Sequence, residues 1–219
     1  MTVGERYREL FDEIVTVAVN CGRDPNEIKL VAVTKGYPLE HVLPAYDAGA
    51  KIFGENRVQE ALLKIDQAPK EIDWHLIGSL QKNKVRKAVG RFSLIHSVDC
   101  VDLARKISEV SIELGIVTAI LLQVNTSGEE TKHGLTPLEF TEAWPSLLPL
   151  KGIDIQGLMT MAPFVEDPQI IRECFQELRL LRDKHGLKHL SMGMSHDWRL
   201  AIEEGATLLR VGSAIFRTD

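Results

Sequence analysis

Cysteine is scarce and scattered. The chain carries three, Cys21, Cys100 and Cys174, with no CxxC pair among them, which argues against both a disulfide framework and a zinc site. Long apolar runs are missing as well. No stretch approaches the ~18 consecutive apolar residues of a membrane-spanning helix, and the opening MTVGERYREL is charged where a secretory signal would be apolar. Positive charge is not in excess: 26 Lys and Arg against 31 Asp and Glu give a net charge of -5. A phosphate-rich polymer would ask for a basic face, so nucleic acid is disfavoured as a partner. The seven histidines show neither HxH nor HExxH spacing, which argues against a metal centre. These absences leave the expectation of a reduced, cytoplasmic protein with no membrane anchor.

What is present is a rhythm. Hydrophobic residues make up 44% of the 219 and charged residues 26%, enough for a sizeable core and a soluble surface. Short β-branched or apolar runs alternate with longer helical patterns, the mark of βα units and a parallel sheet. After an opening helix over Val3–Val19, strands are predicted at Leu30–Thr34, Lys51–Gly54, Trp74–Ile77, Leu94–Ser97, Ala119–Val124, Ile155–Met159, His189–Ser191 and Leu208–Val211. The clearest later helix runs from Pro168 to His185, with Asp167 as N-cap and Gly186 at C′. Eight strands is the number that closes a barrel. The fold class predicted is therefore α/β, a single (β/α)8 barrel of the TIM type with an extra N-terminal helix, one domain over 1–219. An open doubly wound sheet is the alternative that length and rhythm leave standing.

In such barrels chemistry gathers where strands end. Lys35 follows VAVT, Glu55 and Asn56 follow or end KIFG, Ser79 follows WHLIG, Asp99 follows IHSV, Asn125 follows LLQV, and Ser195 comes after the seventh strand. A lysine held against a barrel core is expected to lose hydration of its ammonium form, and a neutral amine can attack an aldehyde to form a Schiff base. The plainer reading of Lys35 is a lysine that ends a strand and points into water. The segments SMGMS and RVGSA, after strands seven and eight, have the small residues of a phosphate cradle, although their glycines could serve only tight turns. Arg210 alternates with apolar neighbours in LLRVG and is expected to face the barrel interior, where a buried guanidinium needs a partner. Met159, Met161, Met192 and Met194 read as barrel filling, and His75 as a core histidine. The basic run QKNKVRKAVGR reads as a solvated helix face. The loop TSGEETKHG is polar enough to be mobile, and its Lys132 is a candidate lid residue or an idle one.

The stretches LVAVTKGYP, FGENRVQE, WHLIGSLQKNKVRKAV, IHSVD, LLQVNTSGEETKHG, IQGLMTMAP and SMGMSHDW, with AIEEGATLLRVGSAIF at the end, closely resemble the YggS/PROSC family of pyridoxal-phosphate homeostasis proteins, in the family's order. The resemblance implies a barrel like the N-terminal domain of alanine racemases, a fold type III architecture, standing alone. It implies pyridoxal 5′-phosphate as cofactor, held as a Schiff base on Lys35. Asn56 is then expected beside the cofactor. Met194 and Ser195 in MGMS, with Gly212 and Ser213, are expected at the phosphate, and Arg210 at the pyridine nitrogen. An arginine there weakens the ring as an electron sink, where a carboxylate would strengthen it. Ser213 stands where the family commonly has Thr. Its usual IFG is here Ile215–Phe216–Arg217, so the last helix and the phosphate turn are where this chain is expected to depart from the family.

The resemblance also implies a carrier that holds the cofactor without substantial turnover, acting as a monomer, with apo-enzymes that require the cofactor as partners. An amino-acid racemase or decarboxylase of the same fold class is the alternative. It would need a second base from another domain, for which no room is expected after Asp219, and Tyr37 is the only phenol near Lys35. A cofactor-free Schiff-base aldolase or a sugar-phosphate isomerase would use the same barrel, lysine and phosphate cradle.

Overall fold

The computed structural model describes residues 1–129 and 132–217. Glu130 and Thr131, in the loop expected to be mobile, and the end of the predicted domain at Thr218 and Asp219 lie outside the described residues. The first helix, α1 (Val3–Asn20), starts at a capping box. The Thr2 hydroxyl accepts from the Glu5 N–H at 3.2 Å, and the Glu5 carboxylate accepts from the Thr2 N–H at 2.7 Å. Val3, Tyr7, Leu10, Ile14 and Ala18 recur at three- and four-residue spacing, so they form one buried face.

Eight parallel strands then close into a barrel in chain order, β1 to β8, with β1 paired to β8. They are β1 (Lys29–Val33), β2 (Ile52–Glu55), β3 (Asp73–Leu76), β4 (Leu94–Val98), β5 (Thr118–Gln123), β6 (Ile153–Met159), β7 (His189–Ser191) and β8 (Leu208–Val211). Between them lie α2 (Leu39–Asp47), α3 (Val58–Ile65), α4 (Val85–Ala88), α5 (Val101–Glu113), α6 (Pro137–Leu147), α7 (Pro168–Lys184) and α8 (Trp198–Glu203), and α9 (Ser213–Phe216) follows β8. The closed sheet removes the doubly wound alternative. The expected caps of α7 are present: the Asp167 side chain accepts from the Gln169 N–H at 2.9 Å, and Gly186 takes φ 64°. Within the basic run only Val85, Ala88 and Val89 are buried, while its cationic side chains face outward, as a solvated face requires.

Alternation along the strands divides the apolar side chains in two. Leu30, Ala32, Phe53, Leu76, Ile95, Leu122, Leu158, Leu190 and Leu209 belong to the large core beneath the helices. A separate, smaller cluster of Val31, Leu94, Leu121, Met159 and Leu208 fills the barrel interior. Gly54 is needed inside, because a Cβ there would lie 2.9 Å from Val31 Cγ1. The methionines thus do not all fill the barrel. Met159 does, with the half-buried Met161 packed against it; the buried Met192 belongs to the outer core, and Met194 is half-buried.

Among the described residues no helix is long and apolar enough to cross a membrane, and the three cysteines are free.

Candidate functional site

The polar residues gather at the C-terminal mouth of the barrel because the strand register brings their ends level. Val33 of β1 pairs with Gly54 of β2, so Lys35 and Asn56 each lie two residues beyond a matched pair. Ala32 of β1 pairs with Val211 of β8, which brings Gly212 against the end of β1: a Cβ on Gly212 would stand 2.9 Å from the Val33 carbonyl oxygen. On the other side of β8, the Arg210 N–H donates to the Gly193 carbonyl at 2.9 Å. The turn after β7 therefore sits beside the turn after β8. There Ser213 Oγ donates to Ser195 Oγ at 2.8 Å. Both turns are tight. Gly193 takes φ 90°, and a Cβ on it would meet the Ala201 side chain at 2.5 Å. The Met194 N–H is held by the buried Asp197 carboxylate at 2.5 Å, and burial raises the Asp197 pKa above its ordinary value.

Lys35 is at the mouth but exposed, contrary to the expected loss of hydration. The reason is local: β1 ends at Val33, the buried residue after it is Thr34, and Lys35 begins a turn whose next residue, Gly36, takes φ 81°. That turn is pinned from below. Lys64 of α3 donates to the Thr34 carbonyl at 2.8 Å and to the Glu55 carboxylate at 2.5 Å, and the Thr34 hydroxyl donates to the same carboxylate oxygen. Glu55 is fully buried, and its Oε2 has no hydrogen-bond partner among the described residues. Asn56, half-buried, backs onto Gly78 so closely that a Cβ on Gly78 would fall 2.3 Å from the Asn56 carbonyl oxygen.

Arg210 faces the interior as expected and is 5% exposed. Burial lowers its pKa to about 10, opposed by the negative charge of Asp197. It donates from Nη1 to the Ser191 hydroxyl at 2.5 Å and from Nη2 to the Thr160 carbonyl at 2.9 Å. No ion pair within 4.0 Å joins it to a carboxylate among the described residues. Beyond Ser191 the contacts continue across the barrel. Ser191 Oγ lies 2.8 Å from His96 Nδ1, and His96 Nε2 lies 2.9 Å from His75 Nδ1. Burial pushes His75 down to about 3, helped by Lys29 and His189, and holds His96 well below the ordinary histidine value. His75 is thus a core histidine whose partner is His96. The sequence reading singled out neither His96, Ser191 nor Lys64. The signal for the first two was their even spacing from interior positions on their strands; for Lys64 it was a lone cation on the otherwise apolar face of α3.

Other expected residues lie elsewhere or serve the scaffold. The Tyr37 ring stacks on His41 at 5.0 Å and packs on Phe216 at 5.5 Å, so it joins α2 to α9. Asn125 organises the loop after β5, accepting from the Ser127 hydroxyl at 2.8 Å and donating to the Glu129 carbonyl at 2.9 Å. Lys132 ties that loop to the end of β6 by donating to the Ala162 carbonyl at 2.9 Å, and it pairs with Glu129. Arg217 is exposed with φ -55°, a conformation open to any residue, and its N–H donates to the Ser213 carbonyl at 3.2 Å. The side chain at 217 therefore leaves α9 and the Gly212–Ser213 turn in place.

Comparison with known proteins agrees with the barrel fold. The family described as alanine racemase, N-terminal domain, matches residues 20–219. A pyridoxal phosphate homeostasis protein of Aquifex aeolicus is 42% identical over 224 residues, covering 99% of this chain and 98% of that protein. The structure of PipY from Synechococcus elongatus with pyridoxal phosphate (PLP) bound is 36% identical, with a TM-score of 0.84 over 98% of this chain and 100% of that one. An alanine racemase of Clostridium difficile shares the fold, with a TM-score of 0.77 at 14% identity, and this chain covers 60% of it.

Proposed function

Because this chain belongs to the pyridoxal phosphate homeostasis protein family, we propose that it binds pyridoxal 5′-phosphate covalently through Lys35 and holds it without substantial turnover. The observation that carries the proposal is the arrangement of two neutral hydroxyls, an interior arginine and one exposed lysine around a single barrel mouth. The residues fit the group. Ser195 and Ser213, 2.8 Å apart between glycine-shaped turns, offer hydroxyl and backbone donors to a phosphate. Arg210 keeps Nε and one hydrogen on each Nη free of protein acceptors among the described residues, which suits an acceptor such as a ring nitrogen. Asn56, just after β2, and Met194, after β7, are the remaining residues that this reading assigns to the cofactor. Pyridoxal phosphate supplies an aldehyde that an amine can hold and a ring that can accept electron density.

The protein's own residues favour holding over catalysis. Lys35 supplies the amine, and the Lys64–Glu55 pair fixes its turn. Arg210, a cation, opposes protonation of a nitrogen that faces it, so the ring is a poor electron sink. Tyr37, the phenol nearest Lys35 in sequence, is engaged in packing. The same reading makes residues 1–219 one domain, a monomer of the cytoplasm, its partners being the cofactor and the apo-enzymes that require it.

Borohydride reduction followed by peptide mass mapping tests this. The expected result is a pyridoxyl adduct on Lys35 and none in Lys35→Ala. An adduct retained at equal level in that variant overturns it. Incubation of the holoprotein with amino acids in deuterated water is expected to give little α-proton exchange, and sustained exchange with inversion would establish the racemase alternative.

A further inference from the structure

Arg210 is held entirely by neutral groups, and their hydrogen bonds run in one direction across the barrel. The guanidinium has donors only, so Ser191 Oγ accepts from it at 2.5 Å. The Ser191 hydroxyl hydrogen then has one acceptor within reach among the described residues, His96 Nδ1 at 2.8 Å. A hydrogen left unpaired in this buried place would carry the full cost of desolvation. His96 must therefore carry its proton on Nε2, from which it donates to His75 Nδ1 at 2.9 Å, and His75 in turn carries its own proton on Nε2. The other partner of the Arg210 side chain, the Thr160 carbonyl, is neutral too. Asp197 is the carboxylate whose charge Arg210 senses, but Asp197 is engaged with the Met194 N–H and forms no ion pair with the arginine.

We propose that Ser191, His96 and His75 form a tautomer-locked string of positioning residues that fixes Arg210 while leaving its charge uncompensated, so that the cofactor's ring nitrogen stays unprotonated. The inference rests on the placement of Arg210 at that nitrogen. A carboxylate at position 191 would hold the guanidinium equally well but would neutralise it. A serine backed by neutral imidazoles grips without neutralising. The depressed proton affinity of both histidines agrees with this arrangement.

The test has a part that needs no variant. Nitrogen-15 NMR of the labelled wild-type protein is expected to show His96 and His75 neutral with the proton on Nε2. A proton on Nδ1, or a charged ring near neutral pH, overturns the string. The second part follows the ring nitrogen of labelled pyridoxal phosphate bound to the protein. Wild type is expected at the unprotonated position, Ser191→Asp displaced towards the protonated one, and Ser191→Thr unchanged. His96→Phe is expected to weaken cofactor retention about fivefold, the effect of losing roughly 1 kcal/mol from one buried hydrogen bond between neutral groups behind Arg210. If Arg210→Gln moves neither the nitrogen resonance nor retention, the placement of Arg210 at the ring is wrong. If Arg210→Gln moves them while Ser191→Asp and His96→Phe do not, the placement stands and the string fails. A purely structural role for the string would lower the melting temperature without displacing the nitrogen resonance.

Discussion

The Lys64 ammonium bridges two parts of the wall beneath Lys35, donating to the buried Glu55 carboxylate at 2.5 Å and to the Thr34 carbonyl at 2.8 Å. Glu55 is fully buried and the Lys64 side chain is 11% exposed, so neither charge can turn to bulk water if its partner is lost. Lys64→Met is expected to cost about 3–5 kcal/mol of stability, the range for breaking a buried pair. Urea unfolding measures it. The double variant Lys64→Met with Glu55→Leu is expected to recover most of the loss, because it strands no charge. Equal loss in both would show that the pair contributes by packing alone.

The hydroxyls of Ser195 and Ser213 are in contact, so under the proposed function their contributions to phosphate binding would be coupled. Ser195→Ala and Ser213→Ala are each expected to weaken retention of pyridoxal phosphate about fivefold, from roughly 1 kcal/mol per hydrogen bond. The double variant is expected to differ from the sum, because each single change also frees the other hydroxyl from a partner. Equilibrium dialysis of the cofactor against each variant decides it.

Gly78 is required by the closeness of Asn56. In Gly78→Ala the new Cβ would overlap the Asn56 carbonyl oxygen, from which it would stand only 2.3 Å, so the strand end must shift. The expected result is a loss of about 1–3 kcal/mol together with weaker cofactor retention. Retention equal to wild type would remove Asn56 from the site.

Much of this molecule is legible in its sequence, for a physical reason. All eight predicted strands occur, each within two residues of its predicted ends, because a strand covered on both faces must be an apolar run bounded by polar residues. The strand β6 begins earlier than read, at Ile153, because the exposed Asp154 breaks the apolar run there. The candidate site was legible one residue at a time: Lys35, Ser195 and Ser213 each follow a strand, and Arg210 interrupts the apolar run of β8. Their relations were not. Whether His75 meets His96, or Glu55 meets Lys64, depends on register between neighbouring strands and on how α3 lies against β2, and no local pattern encodes either. The exposure of Lys35 matches the plainer of its two readings, because β1 ends at Val33 and the lysine already belongs to the turn.

Acid is expected to weaken the fold through its buried histidines. Burial lowers His75 to about 3 and His189 to about 4 from an unfolded value near 6.5. Between those values the unfolded chain binds protons that the folded one refuses, so stability rises with pH there and is lost as pH falls. Each group contributes at most about 1.4 kcal/mol per pH unit. Urea midpoints are therefore expected to be insensitive to these histidines above pH ~6.5 and to fall between about 6 and 4. His189→Gln is expected to flatten that fall, and an unchanged slope would remove His189 as a contributor.

The pairing of β1 with β8 also sets a schedule. Lys35 follows the first strand and Ser213 the last, so a ribosome delivers the two sides of the mouth at opposite ends of synthesis. At about 5–20 residues per second, the interval between them is on the order of ten to thirty seconds. During that time the amine is in the world, while Arg210 and the hydroxyls that would select its aldehyde are not yet made. Under the proposed role of Lys35, cofactor capture on a formed site would have to wait until β8 and Ser213 are made, and until then the lysine would be open to any reactive carbonyl that reaches it first.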